Sequence, residues 1–460
     1  MKILLTGATG LIGRALSERL FRDGHDLVVL ARNTDKARAG FPFPAQFHSW
    51  NAETDDAPAA AFEGVDAVVH LAGEPVAPGR WTAERKKKIF NSRILGSRNL
   101  VKTMVALDHP PKVLVSASAI GFYGNRGDKE KLDEASGPGG GFLAGVCQSW
   151  ENETSGNPVL ARCGTRSVSI RTGVVLSREG GALASLEPLF RAGLGGPVGS
   201  GRQIMSWIHI DDLVSLYVAA LMDSRYRGPI NGVAPSPVSN SVFSVELARV
   251  LEKPNFFHAP APAVKLVLGE MATAVLGGQY VIPFKAAAHG FAFQFSDLRS
   301  ALGALLSADA EVFDSVQWIP RTPSEVFPFF SDAGNLERLT PPWLSFRLEQ
   351  VSTPEMSQGT LINYRLKIHG FPIHWQSRIE DWKPGSQFVD VQLRGPYALW
   401  HHTHRFESFR GGTLLHDRIR FRLPFGSIGN AVGGGRVRSD VSAIFRYRHE
   451  AIGKLFASSR

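Results

Sequence analysis

The first thirteen residues constrain the fold more than any other stretch of the chain. A short apolar run at residues 3–5 leads directly into Gly7, Gly10 and Gly13. A buried strand that ends at glycine and continues as a helix can cradle a phosphate. The glycines permit a tight turn and a close backbone approach, and the first amides of the helix face the anion. The sequence therefore predicts a dinucleotide-binding strand–helix unit; the alternative is an ordinary strand–helix turn.

The residue two positions after the second apolar strand, residues 27–30, indicates which dinucleotide is preferred. Many such sites place a carboxylate there, which binds the ribose 2′-hydroxyl of NAD. This chain has Arg32 instead, and a guanidinium suits a 2′-phosphate in geometry and charge. We therefore expect NADP(H), the alternative being that Arg32 is a solvated charge. The predicted cofactor-binding residues are Gly7, Thr9, Gly10, Leu11, Ile12, Gly13, Arg32, Leu71, Ala72 and Gly73.

The hydrophobic pattern changes once along the chain. Up to about residue 235, strands and helices alternate, which is typical of a parallel sheet covered on both faces. Residues 236–305 are expected to be helical and rich in loops. Beyond residue 310 the apolar residues recur with a period of two, as in an antiparallel sheet. A capping box at residues 322–325 predicts a helix start, a long amphipathic helix is predicted from Ser439, and the glycine-rich runs 137–141 and 433–435 are predicted to be loops.

Residues 1–305 resemble a known enzyme superfamily. The spacing of the glycines and the sequences of residues 80–82, 116–124, 199–212 and 268–271 are similar to those of the extended short-chain dehydrogenase/reductases. The similarity is to their atypical epimerase-like branch, some members of which carry division-related labels. This resemblance implies an α/β Rossmann domain with a doubly wound parallel sheet that binds NADP. It also implies a small substrate-side lobe at about residues 173–305.

Residues 311–460 resemble a second family. The sequences of residues 388–392, 395–397 and 400–404 are similar to those of the START-related helix-grip family (SRPBCC). The resemblance implies an α+β domain in which an antiparallel sheet surrounds a long C-terminal helix and leaves a cavity for an apolar ligand.

The residues expected to carry the superfamily's chemistry are only partly present. The superfamily uses a tyrosine, a lysine four residues later that lowers the tyrosine's pKa, and a serine that orients the substrate carbonyl. Ser118 fits the serine, but Leu143 and Cys147 stand at the other two positions. Tyr123, in the same loop as Ser118, is a candidate replacement proton donor. The alternative is that Tyr123 only packs an aromatic ring beneath the loop.

Three further residues are candidates for substrate binding. Glu74 and Arg80 follow the fourth strand, and Arg202 lies in a glycine-rich loop. Arg202 is either a substrate anchor or part of a loop salt bridge. Met205 occupies the position where nucleotide-sugar enzymes commonly carry an arginine that binds the pyrophosphate. A nucleotide sugar is therefore a less suitable substrate than the resemblance alone implies.

Two histidines stand out in the second part of the chain. His402 and His404 share a strand face with Trp400 and Phe406, so both are predicted to face the interior. Histidines two apart on a strand can bind a metal or act as an acid or base near neutral pH. The third reading is a hydrogen-bonded pair in a polar core, and we predict no metal site.

Composition excludes several classes of function. The net charge of +9 is spread along the chain without the clustering that nucleic-acid binding needs. No apolar run is long enough to span a bilayer, and Cys147 and Cys163 alone cannot form a disulfide framework. We therefore expect a cytoplasmic protein without a nucleic-acid partner, and a homodimer is left open. The sequence favours an NADP(H)-dependent oxidoreductase or epimerase acting on a small substrate; the alternative is a non-catalytic regulatory protein that binds NADP(H) and an apolar ligand.

Overall fold

The computed structural model describes residues 1–77, 79–127, 130–306, 310–424 and 426–457, with 426–433 described as backbone only. Two units are apparent from the contacts within the chain. The first comprises Met1–Ala37 and Pro44–Leu305. The second comprises Arg38–Phe43 and the chain from Leu306 onward. The Trp318 amide donates a hydrogen bond of 2.9 Å to the Pro42 carbonyl within this second unit.

A seven-stranded parallel sheet forms the centre of the first unit. Its strand order is β11-β7-β5-β4-β1-β2-β3. Ile3, Leu4 and Leu5 are fully buried, because a parallel sheet covered on both faces needs apolar residues on each side of a strand. The predicted parallel α/β sheet is confirmed. Its strands are β1 (Lys2–Thr6), β2 (Asp26–Ala31), β3 (Gln46–Ser49), β4 (Ala67–His70), β5 (Val113–Ala119), β7 (Arg166–Thr172) and β11 (Gly228–Gly232).

Helices cover this sheet, and in the described part of the first unit short strands form three further two-stranded sheets. The long amphipathic helix predicted after the fourth strand is α3, which buries Ile89, Leu100 and Met104. The helices are α1 (Leu11–Arg22), α2 (Thr34–Ala39), α3 (Ala83–Val105), α4 (Phe142–Glu153), α5 (Pro158–Arg162), α6 (Gly181–Arg191), α7 (Ile210–Met222), α8 (Asn240–Val250), α9 (Ala261–Leu268), α10 (Ala272–Leu276), α11 (Phe284–Ala288) and α12 (Leu298–Leu305). The short strands are β6 (Lys131–Leu132), β8 (Val174–Leu176), β9 (Ile204–Met205), β10 (Trp207–His209), β12 (Val238–Ser239) and β13 (Tyr280–Val281).

The second unit is built on a seven-stranded antiparallel sheet of order β14-β20-β19-β18-β17-β16-β15. The Thr322–Glu325 capping box forms as predicted. His402, His404 and Phe406 are buried on the predicted inward face. The strands are β14 (Glu311–Ile319), β15 (Arg347–Val351), β16 (Leu361–Ile368), β17 (Phe371–Lys383), β18 (Gln387–Arg394), β19 (Leu399–Phe409) and β20 (Gly412–Arg422), and the helices are α13 (Pro323–Phe330), α14 (Leu336–Leu339) and α15 (Gly426–Leu455).

Helix α15 corrects one prediction. It begins at Gly426 rather than at Ser439, and it runs without a break through glycines 433–435, where we predicted a loop. Val441 and Phe445 of this helix pack against Ile419 and Phe421 of β20. The antiparallel sheet and long C-terminal helix expected for this unit are therefore present.

Among the residues that the structure describes, no helix is both long and apolar enough to cross a membrane.

Candidate functional site

The glycines after β1 form a turn in which two positions have no room for a side chain. Gly7 has a φ of +70°, and a Cβ there would lie 2.7 Å from the Leu71 carbonyl carbon. A Cβ on Gly13 would lie 2.2 Å from the Gly7 carbonyl oxygen. Both positions therefore require glycine, the first for its backbone conformation and the second for the close approach of α1 to the turn.

The N-terminus of α1 is open to a ligand. Gly10 is the N-cap, no side chain caps the helix, and its first turn contains no acidic residue. A Cβ on Gly10 would meet only the Gly7 carbonyl oxygen, at 3.3 Å. The first amides of a helix have no partner inside the helix and carry the positive end of its dipole. This end of α1 suits an anion such as a pyrophosphate.

A buried hydrogen-bond chain holds the loop that faces these glycines. The Thr6 hydroxyl lies 2.7 Å from His70 Nδ1 and accepts from the amides of Leu71 and Ala72 at 3.2 and 3.1 Å. His70 Nε2 lies 3.0 Å from the Ser97 hydroxyl. Burial lowers the pKa of His70 to about 4, so the ring is neutral at pH 7. It then accepts from Thr6 and donates to Ser97, which fixes the backbone of the predicted cofactor loop.

Arg32 lies directly after β2 and is exposed. Within the described part of the chain its guanidinium has no hydrogen bond or ion pair. By contrast, the Arg14 side chain at the start of α1 has a protein partner, because its Nε donates to the Thr9 carbonyl at 3.1 Å. The cationic end of Arg32 is therefore available to a ligand, and this exposed geometry is equally that of the alternative, a solvated charge at the end of the strand.

Ser118 and Tyr123 belong to one buried polar network. The Ser118 hydroxyl donates to Glu151 Oε1 at 2.7 Å. Arg171 donates from Nε to Glu151 Oε1 at 2.9 Å and from Nη2 to Oε2 at 2.8 Å. Its Nη1 donates to the Tyr123 hydroxyl at 2.9 Å. The end of β5, the end of β7 and helix α4 are thus joined by a bidentate ion pair.

The Tyr123 hydroxyl is enclosed by protein partners. Two acceptors lie within hydrogen-bond distance of it, Asn231 Oδ1 at 2.7 Å and the Asp133 carbonyl oxygen at 2.8 Å, and the side chain is fully buried. Burial raises the pKa of Tyr123 to about 12. A catalytic proton donor must reach the reacting atom, whereas this hydroxyl is enclosed by protein groups. The geometry therefore favours the alternative in which Tyr123 packs beneath the loop and supports it.

Leu143 and Cys147 face the loop that carries Tyr123. A Cβ on Gly121 would lie 3.2 Å from Leu143 Cβ and 3.7 Å from Cys147 Sγ. Burial raises the pKa of Cys147 to about 12, and the nearby Glu151 carboxylate adds to that rise. Cys147 is therefore a neutral thiol in the position where a lysine was expected, and it cannot lower the pKa of a neighbouring phenol.

The predicted substrate residues lie in three different settings. Glu74 forms an ion pair with Arg85. Arg80 is exposed and donates to the carbonyls of Leu266 and Val267 at the end of α9. Arg202 is exposed, and only its backbone amide takes part in a described hydrogen bond, to the Ser200 hydroxyl at 3.2 Å. Of the three, Arg202 has the side chain that is available to a substrate.

In the second unit, His402 and His404 meet an aspartate. Asp417 Oδ1 lies 3.0 Å from His402 Nε2 and 2.7 Å from His404 Nδ1. The ligand atoms lie close enough together for a metal ion, within 4.8 Å of one another. The Arg448 guanidinium, however, lies 3.4 Å from His404 Nδ1 and 3.7 Å from Asp417 Oδ1. A cation so close opposes a divalent metal and favours the hydrogen-bonded polar core.

Several residues of both sites were not predicted. Glu151 contacts both Ser118 and Arg171, and the signal for Arg171 was a charged residue next to the buried Ile170 near the end of a strand. Asp417 has the same strand parity as Ile419 and Phe421. The sequence therefore indicates that Asp417 faces the interior, as the two histidines do. Arg448 lies on the apolar face of α15, between Phe445 and Ile452.

Comparison with known proteins agrees with this architecture. A model of the NAD dependent epimerase/dehydratase family matches residues 3–140, and a domain of unknown function, DUF1731, matches residues 259–305. An SDR39U1 homologue of Arabidopsis thaliana, described as an epimerase family protein and chloroplastic, is 42% identical over 311 residues. The match covers 66% of this chain and 87% of the relative. Human SDR39U1 is 33% identical over 310 residues, 67% of this chain and 100% of its own length.

Solved structures give the same result. Human SDR39U1 (isoform 2) crystallised with NADPH aligns with a TM-score of 0.58 at 32% identity, over 66% of this chain and 99% of that one. A nucleoside-diphosphate sugar epimerase of Corynebacterium glutamicum aligns with a TM-score of 0.53 at 32% identity, over 67% of this chain and 59% of that one. The predicted resemblance of residues 1–305 to epimerase-like proteins is confirmed, and the chain belongs to the epimerase family that includes SDR39U1.

Proposed function

We propose that the first unit binds NADP(H) and uses it in an oxidoreductase or epimerase reaction on a small substrate. The observation that carries this proposal is the uncapped N-terminus of α1 beside Gly7, Gly10 and Gly13. The amides of Leu11 and Ile12 would hold the pyrophosphate, and Arg32 would hold the 2′-phosphate. The NADPH complex of human SDR39U1 supports the same choice of cofactor. Bound NADPH supplies a hydride.

Replacing Arg32 with alanine is expected to weaken NADPH binding about tenfold to a hundredfold, because a hydrogen bond to a charged group contributes about 1.5–3 kcal/mol. NADH binding should change less than about threefold, since NADH lacks the phosphate that Arg32 contacts. Calorimetric titration with both cofactors measures this difference. Arg162→Ala, at another exposed arginine, is the matched control. Equal losses for the two cofactors would contradict the role assigned to Arg32.

The chain's own residues would orient the substrate rather than relay a proton through a tyrosine and lysine. We propose that Ser118 lies beside the reacting carbon, held by Glu151, and that Arg202 contacts the substrate from its loop. Because the Ser118 proton is donated to Glu151, the serine presents its lone pairs to the substrate. It would therefore accept a hydrogen bond from a substrate hydroxyl.

Replacing Ser118 with alanine is expected to lower turnover at least tenfold while leaving the NADPH affinity unchanged. The assay follows NADPH absorbance with a panel of carbonyl compounds, and NADP⁺ reduction with the corresponding alcohols. Ser116→Ala is a matched control, because Ser116 lies on the same strand and bonds to Thr154 and Ser169. If no compound is turned over in a Ser118-dependent way, the enzymatic proposal fails.

The second candidate function is a non-catalytic protein that binds NADP(H) and responds to it. The buried hydroxyl of Tyr123 and the neutral thiol of Cys147 favour it, because neither group can act as the superfamily's proton relay. In that case bound NADPH would keep its redox state during prolonged incubation with the whole panel, whereas a ligand would still bind to the second unit.

For the second unit we propose kinship with the START-related helix-grip proteins and binding of an apolar ligand. The seven-stranded antiparallel sheet, the long helix α15 and the aromatic core around Phe327, Phe388 and Phe406 support this proposal. The cytoplasmic location and the homodimer stay predictions.

A further inference from the structure

A small pocket in the second unit has apolar walls and a polar floor. Its walls are mostly apolar and include Phe330, Leu339, Ile362, Ile379 and Phe388, and the polar residues Asp332 and Asn335 also line the pocket. The floor is formed by Asp390 of β18, His404 of β19 and Arg448 of α15. A site of this kind suits a molecule with an apolar body and a polar end, since the few polar groups fix the orientation of the ligand.

Two residues of the polar floor, His404 and Arg448, are held by neighbouring buried side chains. Asp417 Oδ1 accepts from His402 Nε2 and His404 Nδ1, at 3.0 and 2.7 Å. The Arg448 guanidinium lies 3.7 Å from the same oxygen. Phe388 stacks on His404 with the ring centroids 4.4 Å apart. This set of contacts holds Arg448 and His404 in place before any ligand arrives.

Two atoms of the floor have no partner. Asp390 Oδ1 and Arg448 Nε are buried, and neither has a hydrogen-bond partner among the residues that the structure describes. An unsatisfied buried polar group costs about 1–3 kcal/mol, and more when it is charged. One of these atoms needs a donor and the other needs an acceptor, so a ligand that satisfies both must carry both functions.

The charges of the floor favour an uncharged ligand. The positive Arg448 lies against Asp417, whose pKa is well below its usual value because of Arg448 and the two histidines. Burial lowers the pKa of His404 to about 3, so this ring is neutral. Burial raises the pKa of Asp390. Arg448 and Asp417 already pair with each other, and burial favours the neutral form of Asp390, so a charged head would have no free counter-charge on the floor.

We propose that this pocket binds an amphipathic molecule with an uncharged head, such as a carboxamide. The head accepts a hydrogen bond from Arg448 Nε and donates one to Asp390 Oδ1, while its apolar chain packs against Phe330 and Phe388. This inference rests on the proposed binding of an apolar ligand by the second unit, and it adds the chemical class of the head.

Calorimetric titration of the full chain with three probes tests the proposal. Hexanamide carries a donor and an acceptor, N,N-dimethylhexanamide carries only an acceptor, and hexanoate is charged. We expect hexanamide to bind at least tenfold more tightly than the other two. Equal affinities of hexanamide and its dimethyl analogue would overturn the assignment of the head. Failure of all three probes to bind would overturn the apolar-ligand function as well, so the two failures are distinguishable.

Two variants locate the contacts. Asp390→Ala is expected to weaken hexanamide binding tenfold or more and to leave N,N-dimethylhexanamide unchanged, which also shows that the pocket is still folded. Arg448→Lys, which removes Nε, is expected to weaken both amides. Arg446→Lys on the exposed side of α15 is the matched control. The proposal would be overturned if Asp390→Ala left the affinity for hexanamide unaltered, or if it lowered the affinities for both amides to the same degree.

Discussion

Replacing Arg171 with methionine is expected to lower the free energy of unfolding of the first unit by about 3–5 kcal/mol, because removing one partner of a buried ion pair leaves the other charge uncompensated. The side chains of Arg171 and Glu151 are only 4% and 9% exposed. Arg171 also lies over the Phe122 ring, with Cζ 3.4 Å from the ring centroid, and bonds to Tyr123. Urea denaturation of the full chain measures the effect on the transition that NADPH stabilises.

The double variant Arg171→Met/Glu151→Leu separates the charge from the packing. It should recover much of the lost stability, since an apolar pair leaves no buried charge. Arg225→Met is the control, because Arg225 pairs with Asp223 at the surface and such pairs contribute about 0–1 kcal/mol. A double variant that is less stable than Arg171→Met would contradict this explanation.

Replacing Gly13 with alanine is expected to abolish tight NADPH binding, with a loss of a hundredfold or more. The new Cβ would lie 2.2 Å from the Gly7 carbonyl oxygen and 2.7 Å from Ala8 Cα, so α1 must move away from the turn that it completes. Overpacking of this kind also costs about 1–3 kcal/mol of stability. Calorimetric titration and thermal unfolding measure the two effects.

The matched control for this change is Gly303→Ala. Gly303 lies in α12, and a Cβ there meets no atom within 4 Å. The control should be neutral or slightly stabilising, because alanine is the better helix former. If Gly13→Ala retained normal NADPH affinity, the glycine turn would not be the cofactor site.

The parts of the fold that could be predicted are those specified by local chemistry. Gly7 and Gly13 fix the first turn through backbone conformation and contact distance, so the Rossmann unit was readable from thirteen residues. The Thr322–Glu325 capping box involves only neighbours in sequence. The inward direction of His402 and His404 follows from strand parity together with Trp400 and Phe406 on the same face.

The parts that could not be predicted depend on residues distant in sequence. Ser118 meets Glu151 and Arg171 because β5, α4 and β7 come together in space, and no local pattern contains that information. The predicted start of α15 at Ser439 was wrong for a different reason. A propensity argument counts about 1 kcal/mol against each glycine but neglects that extending an existing helix is far easier than nucleating one.

The bond between Pro42 and Trp318 affects how this protein can be dissected. Strand β14 is at one edge of the antiparallel sheet, and the segment that accepts its Trp318 amide comes from far upstream in the chain. In a recombinant fragment starting near Leu306, the Trp318 amide would lose its acceptor and stay unpaired on an edge strand. Exposed edge strands with unpaired backbone groups promote aggregation. A fragment that contains the whole second unit must include residues 38–43 together with the C-terminal portion. Because these two segments are far apart in sequence, a single truncation cannot produce such a fragment.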